Sequence, residues 1–344
     1  MSIPYYFKTL KSFRFPLLLD YLHLVRNGFH LVNKIIFLIS HLPILDKRKQ
    51  KTMKTQKFNW LIVGVLMAVF KTFNLSAAPE LISTDIIGKG QPIILVHGMA
   101  CSAAVWDEFV ERYQGSYELH LVTIKGFGNK ESAEYGHYLH EVKNELIAYT
   151  RDKKLKNAIL IGHSMGGFLS LWAASEEPDL FYKIISVDGV PYFPVLQMPG
   201  ITPETAKPMA ESMKSYMAKM DDVSALANQE MMIASMIATE EKRDKVIKMG
   251  MNSNPMVVGQ AYGEMFTTDI RPLMGNIQTP VLVFGSWAAY QNFGATKESV
   301  TYGYQNQLKD IRNVHLLVAE EAYHFVFYDE PDWFYFEVDK FLAQ

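Results

Sequence analysis

From Leu81 onward the chain alternates short apolar runs with stretches of helical spacing. Leu81 to Ile87 (LISTDII) and Pro92 to Val96 (PIILV) read as strands bridged by the turn Gly88-Lys89-Gly90. Ala103 to Tyr113 has helical spacing, and Tyr117 to Ile124 (YELHLVTI) reads as a strand. Tyr138 to Tyr149 places Leu139, Val142, Leu146 and Tyr149 at a period of about 3.6 residues, which predicts a helix. The pattern goes on to predict strand Ala158–Ile161, helix Met165–Ser175, strand Lys183–Val187, strand Val281–Phe284, helix Thr296–Leu308, strand Val314–Val318 and a last helix Asp332–Leu342. Short β-branched strands alternating with amphipathic helices imply an α/β protein: a mostly parallel, doubly wound sheet covered on both faces. Such sheets bind ligands beyond the carboxyl ends of their strands, so chemistry is sought just after each strand.

Between Lys183–Val187 and Val281–Phe284 the strand signal stops. Helical runs such as ETAKPMAESMKSYMAKM and DVSALANQEMMIASMI take its place. Thirteen of the eighteen methionines fall between Met198 and Met274, and Met209, Met213, Met217 and Met220 recur on one helical face. Methionine is flexible and polarizable and suits adaptable apolar surfaces. Two readings follow, an apolar roof over an acyl or alkyl group and ordinary packing of helices onto the sheet.

Ahead of the first strand the pattern changes. Residues 1–78 hold twelve Lys and Arg against two acids, Asp20 and Asp46, leaving 22 bases and 34 acids for the rest. Lys54 and Lys57 precede a 13-residue apolar run from Phe58 to Phe70, and Ser76-Ala77-Ala78 supplies small residues for cleavage after Ala78. These features describe a secretory signal peptide over 53–78, with 1–52 an upstream extension outside the mature protein and 79–344 the mature domain. The apolar run is shorter than the roughly 20 residues a membrane span needs. The expected location is secreted or periplasmic. The alternative is an uncleaved N-terminal anchor, the only membrane attachment the chain suggests.

Composition narrows the class. With 49% hydrophobic and 20% charged residues the 344-residue chain can bury a sizeable core, which excludes a disordered, collagen-like or disulfide-stapled protein. A formal charge of −2 gives no global sign of nucleic-acid binding, and the single Cys101 excludes an intrachain disulfide or a cysteine-cluster metal site.

The chemistry gathers at strand ends. Gly162-His163-Ser164-Met165-Gly166 lies between a strand and a helix. G-x-S-x-G is common by chance, but in this context it marks a serine on a strained strand-to-helix turn, with the Met165 N–H at the helix start. His97-Gly98 follows the strand Pro92–Val96, and the Met99 N–H there is the expected second donor to an oxyanion. His97 itself is expected to support that loop. A serine hydroxyl needs a neighbouring base. Of the histidines after Ser164, His315 lies inside a strand and His324 lies in the loop after the last strand, where a base belongs.

HG after an early strand, GHSMGG at the elbow and a late loop histidine resemble the α/β-hydrolase superfamily, over residues 81–343. The resemblance implies hydrolysis of an ester, amide or related bond by Ser164 and His324, without metal or organic cofactor. It also implies a helical lid, here about 190–277. The acid departs from the commonest pattern, because no carboxylate follows Val281–Phe284 until Glu298. Asp188, one strand earlier, is the expected acid; Glu298 or a Ser–His dyad are the alternatives. Asp329 is expected in the first turn of the last helix. Trp287 occupies the strand end where the usual acid is absent, and is expected at the wall of the substrate pocket. The expected substrate is a small or medium apolar carboxylic ester, with an acyl-enzyme mechanism. The alternatives are an amidase or aminopeptidase using Glu204, Glu211, Asp221 and Asp222 to read an amine, a cofactor-free lyase, or a receptor for a hydrophobic ligand.

Overall fold

A computed structural model describes residues 80–131 and 136–344. The expected extension over 1–52 and signal peptide over 53–78 lie outside the described residues. Seven strands form one sheet: β1 (Ile82–Gly88), β2 (Gln91–Val96), β3 (Tyr117–Ile124), β4 (Ile159–His163), β5 (Lys183–Val187), β6 (Val281–Gly285) and β7 (Val314–Val318). Their order is β1-β3-β2-β4-β5-β6-β7, parallel throughout except β1, which runs antiparallel to β3. The Gly88–Gly90 turn therefore joins strands that are not neighbours, because β3 lies between them.

The helices are α1 (Asp107–Tyr113), α2 (Tyr138–Asp152), α3 (Met165–Glu176), α4 (Pro194–Gln197), α5 (Pro203–Lys219), α6 (Asp222–Met236), α7 (Glu240–Met251), α8 (Pro255–Thr267), α9 (Lys297–Leu308), α10 (Val326–Asp329) and α11 (Pro331–Leu342). The first predicted helix is divided: Ala103–Trp106 is a 3-10 turn and only the remainder is α-helical.

Alternation along the strands explains the two covered faces. Ile93 and Leu95 of β2 pack with Phe109 of α1 and Phe334 of α11, whereas Ile94 and Val96 pack with Leu146 of α2 and Phe168 of α3. Each fully buried aliphatic side chain contributes roughly 1.5–3 kcal/mol, so a one-residue slip of register would forfeit both faces together.

The residues between β5 and β6 form two helix pairs, α5 with α8 and α6 with α7. Each pair is tied to the rest by a carboxylate that accepts backbone N–H groups. Glu264 of α8 takes the N–H of Tyr138 at 2.8 Å and of Leu139 at 2.7 Å, at the otherwise unsatisfied start of α2. Asp329 takes the N–H of Ala238 (3.1 Å), Thr239 (2.9 Å) and Tyr323 (2.9 Å). Asp329 thus closes the short helix α10, not the first turn of the last helix. Its three partners explain the difference, since they hold it between the α6–α7 corner and the loop after β7.

Candidate active site

Ser164 sits between β4 and α3 at φ 54° and ψ −117°. A non-glycine residue there costs of order 1–3 kcal/mol and persists only where its surroundings impose it. Its N–H donates to the Val187 carbonyl at 2.8 Å, which ties it to the end of β5. The flanking glycines allow the close approach. A Cβ on Gly162 would lie 2.1 Å from the Gly166 carbonyl oxygen, and one on Gly166 would lie 2.3 Å from that of Val96. The start of α3 is thereby pressed against the end of β2.

Asp188 follows β5 directly, again at positive φ (51°), and its N–H donates to the Phe284 carbonyl at 2.8 Å. Its carboxylate is buried and surrounded by donors. Oδ1 accepts from the Ser286 N–H at 2.9 Å and from the Tyr304 hydroxyl. Oδ2 accepts from the Ser286 hydroxyl at 2.9 Å and lies 2.5 Å from His324 Nδ1. A carboxylate on Nδ1 holds the proton of neutral His324 at that nitrogen and leaves Nε2 as a proton acceptor.

The loop carrying His324 is held at several points. Ala319 N–H donates to the Gly285 carbonyl at 2.9 Å, and Glu330 accepts the N–H groups of Glu321 (2.6 Å) and Ala322 (2.7 Å). His163 Nε2 lies 3.2 Å from the His324 carbonyl oxygen; this oxygen can only accept, so His163 carries its proton at Nε2.

Ser164, His324 and Met99 line one cavity of about 330 Å³. Met217, Met220, Met232, Met236 and Met251 from the helices between β5 and β6 line it too, with Phe325. Among the described residues neither the Met99 N–H nor the Met165 N–H, at the first turn of α3, has an acceptor. A nucleophile, a base oriented by a carboxylate, two backbone donors and an apolar wall are the components of acyl transfer.

Residues 91–331 match the family described as the alpha/beta hydrolase fold. The chain belongs to the α/β hydrolase fold family. Among curated relatives of this hydrolase, a pimeloyl-acyl-carrier-protein methyl ester esterase of Aliivibrio fischeri is 27% identical over 263 residues, covering 75% of this chain and 95% of the relative. Among solved structures, the enol-lactonase of Burkholderia xenovorans LB400 superposes with a TM-score of 0.62 at 15% identity, covering 76% of this chain and 96% of that one. A thermophilic esterase of Thermogutta terrifontis gives 0.60 at 19% identity, covering 76% and 93%.

Two groups of the candidate site were not anticipated from sequence. Ser286 stands after β6 and turns both its N–H and its hydroxyl to Asp188. Tyr304 reaches the same carboxylate from α9. Burial and the nearby Asp188 charge push the Tyr304 phenol well above its usual range, so it stays protonated and donates. The only local signal was the missing acid after β6, which leaves that strand end free to support an acid from β5.

Other expected positions differ. Trp287 does not line the cavity. Its indole N–H donates to the Glu320 carbonyl at 3.0 Å, which holds the half-buried ring against the core beside β7 instead. Glu298 is exposed in the first turn of α9, and His315 is exposed on edge strand β7.

His97 is buried beneath the Met99 loop, where it accepts the Ile124 N–H at Nε2 (3.1 Å) and donates from Nδ1 to the Gly98 carbonyl (2.7 Å). Burial pushes its imidazole down to about 4, and burial lowers His163 well below its usual value too. Unfolding lets both rings take up protons that the folded hydrolase refuses. The contribution of His97 to stability is therefore complete above about pH 6.5 and is lost as pH falls towards 4, and that of His163 is lost in the same direction of pH. For His97 alone the loss is roughly 3 kcal/mol. Urea midpoints should fall steadily from about pH 7 to about pH 4.5; unchanged midpoints over that window would contradict buried neutral histidines.

Proposed function

We propose that the protein is a serine esterase that cleaves carboxylic esters of small or medium apolar acyl chains. Ser164 is the nucleophile, His324 the base and Asp188 the acid that orients it. His324 Nε2 takes the hydroxyl proton as Ser164 attacks the carbonyl carbon. The N–H groups of Met99 and Met165 receive the oxyanion, and such donors are effective because they are fixed before charge develops. The proton then passes from His324 to the leaving alcohol. Water, activated by the same histidine, releases the acid from the acyl-enzyme.

The observation that carries this reading is the 2.5 Å Asp188–His324 pair beside a strained Ser164, with both Ser164 and His324 opening on one cavity. The esterase activity in the name of the Aliivibrio relative supports an ester over an amide. Of the four carboxylates an amine reader would use, only Asp222 reaches the cavity. Asp221 caps α6 through the Ser224 N–H at 2.9 Å, and Glu204 and Glu211 are exposed. The helices between β5 and β6 act as the lid, and their methionines receive the acyl chain.

The test is a panel of p-nitrophenyl esters against aminoacyl anilides. Each methylene that enters the pocket gains about 0.8 kcal/mol, or about fourfold in kcat/KM. Activity should rise from acetate to a middle chain length, level off where the pocket ends, and be far lower on the anilides. A profile that falls from acetate onward, or a preference for anilides, would reject an apolar acyl pocket.

A further inference from the structure

Asp188 is a buried carboxylate with no lysine or arginine beside it; among the described residues its only ion-pair partner is His324. Neutral donors hold the charge instead. Oδ1 takes the Ser286 N–H and the Tyr304 hydroxyl, and Oδ2 takes the Ser286 hydroxyl and His324 Nδ1. A carboxylate offers about four lone-pair sites, so all of them are used. That fixes one orientation, with Oδ2 towards the imidazole.

The backbone makes room for these donors. Gly285 ends β6, and a Cβ on it would lie 3.0 Å from Tyr304 Cζ, so the phenol of α9 packs where that side chain would stand. Tyr304 and Ser286 are each 1% exposed, and neither lines the cavity that holds Ser164. They meet no substrate there, and any effect they have on the reaction runs through Asp188.

That effect follows from charge. Asp188 attracts the imidazolium form of His324 in proportion to the negative charge that Oδ2 keeps. Each donor on the carboxylate draws charge from that oxygen and spreads it over the hydrogen bonds. With fewer donors the carboxylate would bind the imidazolium more tightly, and His324 would take up its second proton at higher pH.

We propose that Tyr304 and Ser286 are positioning residues that hold Asp188 with Oδ2 on His324 Nδ1 and restrain its pull on the imidazolium, so that His324 stays a free base to lower pH than a less supported Asp188 would allow. The proposal rests on the esterase reading only in taking that free base to be the one that serves Ser164. Other ionisable groups also surround His324. His163, at the end of β4 with its ring centroid 4.7 Å away, is neutral because burial lowers it well below its usual value. Burial and the Asp188 charge push Tyr290, after β6, up to about 12, and burial pushes Cys101 up to about 12. Lys130 and Asp222 bring opposite charges to the cavity, and Asp329 accepts the N–H of Tyr323, the neighbour of His324 in its loop. None of these groups is altered by the substitutions that test the proposal.

The test follows the His324 ring by NMR as pH is varied, in full chain carrying histidine labelled at its ring nitrogens, with the signals assigned by their loss in His324→Gln. In Tyr304→Phe and in Ser286→Ala the titration midpoint should rise by about 0.5–1 pH unit, and the acid limb of kcat/KM on a p-nitrophenyl ester should move with it. Leu146→Ala, in the core beside α3, loses packing without touching Asp188 and should leave the midpoint where it is. A midpoint that stays in place or falls in either folded variant overturns the proposal, and so does an equal rise in Leu146→Ala. If Tyr304→Phe does not fold, Ser286→Ala decides alone, since its backbone N–H still serves Asp188. Failure of the esterase reading is seen separately, as absence of turnover on every ester, and the NMR midpoints then decide the proposal unchanged. Raised midpoints with an unmoved kinetic limb uphold the proposal and count against His324 as the base.

Discussion

Replacing Asp188 by Asn is expected to lower kcat on a p-nitrophenyl ester by about 10⁴ while leaving the fold in place. Asn fills the same space, and its carbonyl can still accept from the Ser286 N–H and the Tyr304 hydroxyl where Oδ1 does now. The atom that changes is the one 2.5 Å from His324 Nδ1. An amide NH₂ there donates, so Nδ1 must accept, and the histidine proton moves to Nε2. The ring then presents a donor where Ser164 needs an acceptor. Comparing kcat and thermal midpoints of the two proteins checks this. Loss of less than about tenfold in kcat, with an unchanged midpoint, would mean that Asp188 does not set the tautomer.

Ser164→Ala is expected to have the larger effect, roughly 10⁶ in kcat, because the covalent route disappears altogether. Binding of the product acid should persist, since Met99 and the methionine wall remain. Alanine inherits the φ of 54° and its strain, so the midpoint should change little. Active-site titration alongside steady-state kinetics separates true residual turnover from contaminating wild-type enzyme. Retained turnover at more than about a hundredth of the wild-type rate would point to another nucleophile.

The parts of the site that could be read from sequence are those set by local backbone chemistry. Ser164 was legible because a strand, two glycines and a helix must follow each other within a few residues for the elbow to form. Asp188 and His324 were legible because the site of a parallel sheet lies at its strand ends, which the apolar runs locate. The supports were not. Tyr304 is 116 residues from the carboxylate it serves, and its neighbours on α9 give no hint of the contact. Trp287 was placed at a strand end correctly but does not line the cavity: its indole N–H must find an acceptor, and it finds the Glu320 carbonyl. The methionine pattern was legible as apolar, yet it divided. Met217, Met220, Met232, Met236 and Met251 reach the cavity, while Met209, Met231 and Met256 are exposed. Which face of a helix between β5 and β6 turns inward depends on long-range packing.

The central claim, that Ser164 forms the covalent intermediate, is tested most directly by labelling the protein with a fluorophosphonate and mapping the adduct by peptide mass spectrometry. The predicted result is one adduct, on the peptide containing Gly162-His163-Ser164-Met165-Gly166 and localised to Ser164, formed much more slowly when Asp188 is replaced by Asn. An adduct on any other residue, or no adduct on protein that is hydrolysing an ester, would contradict it.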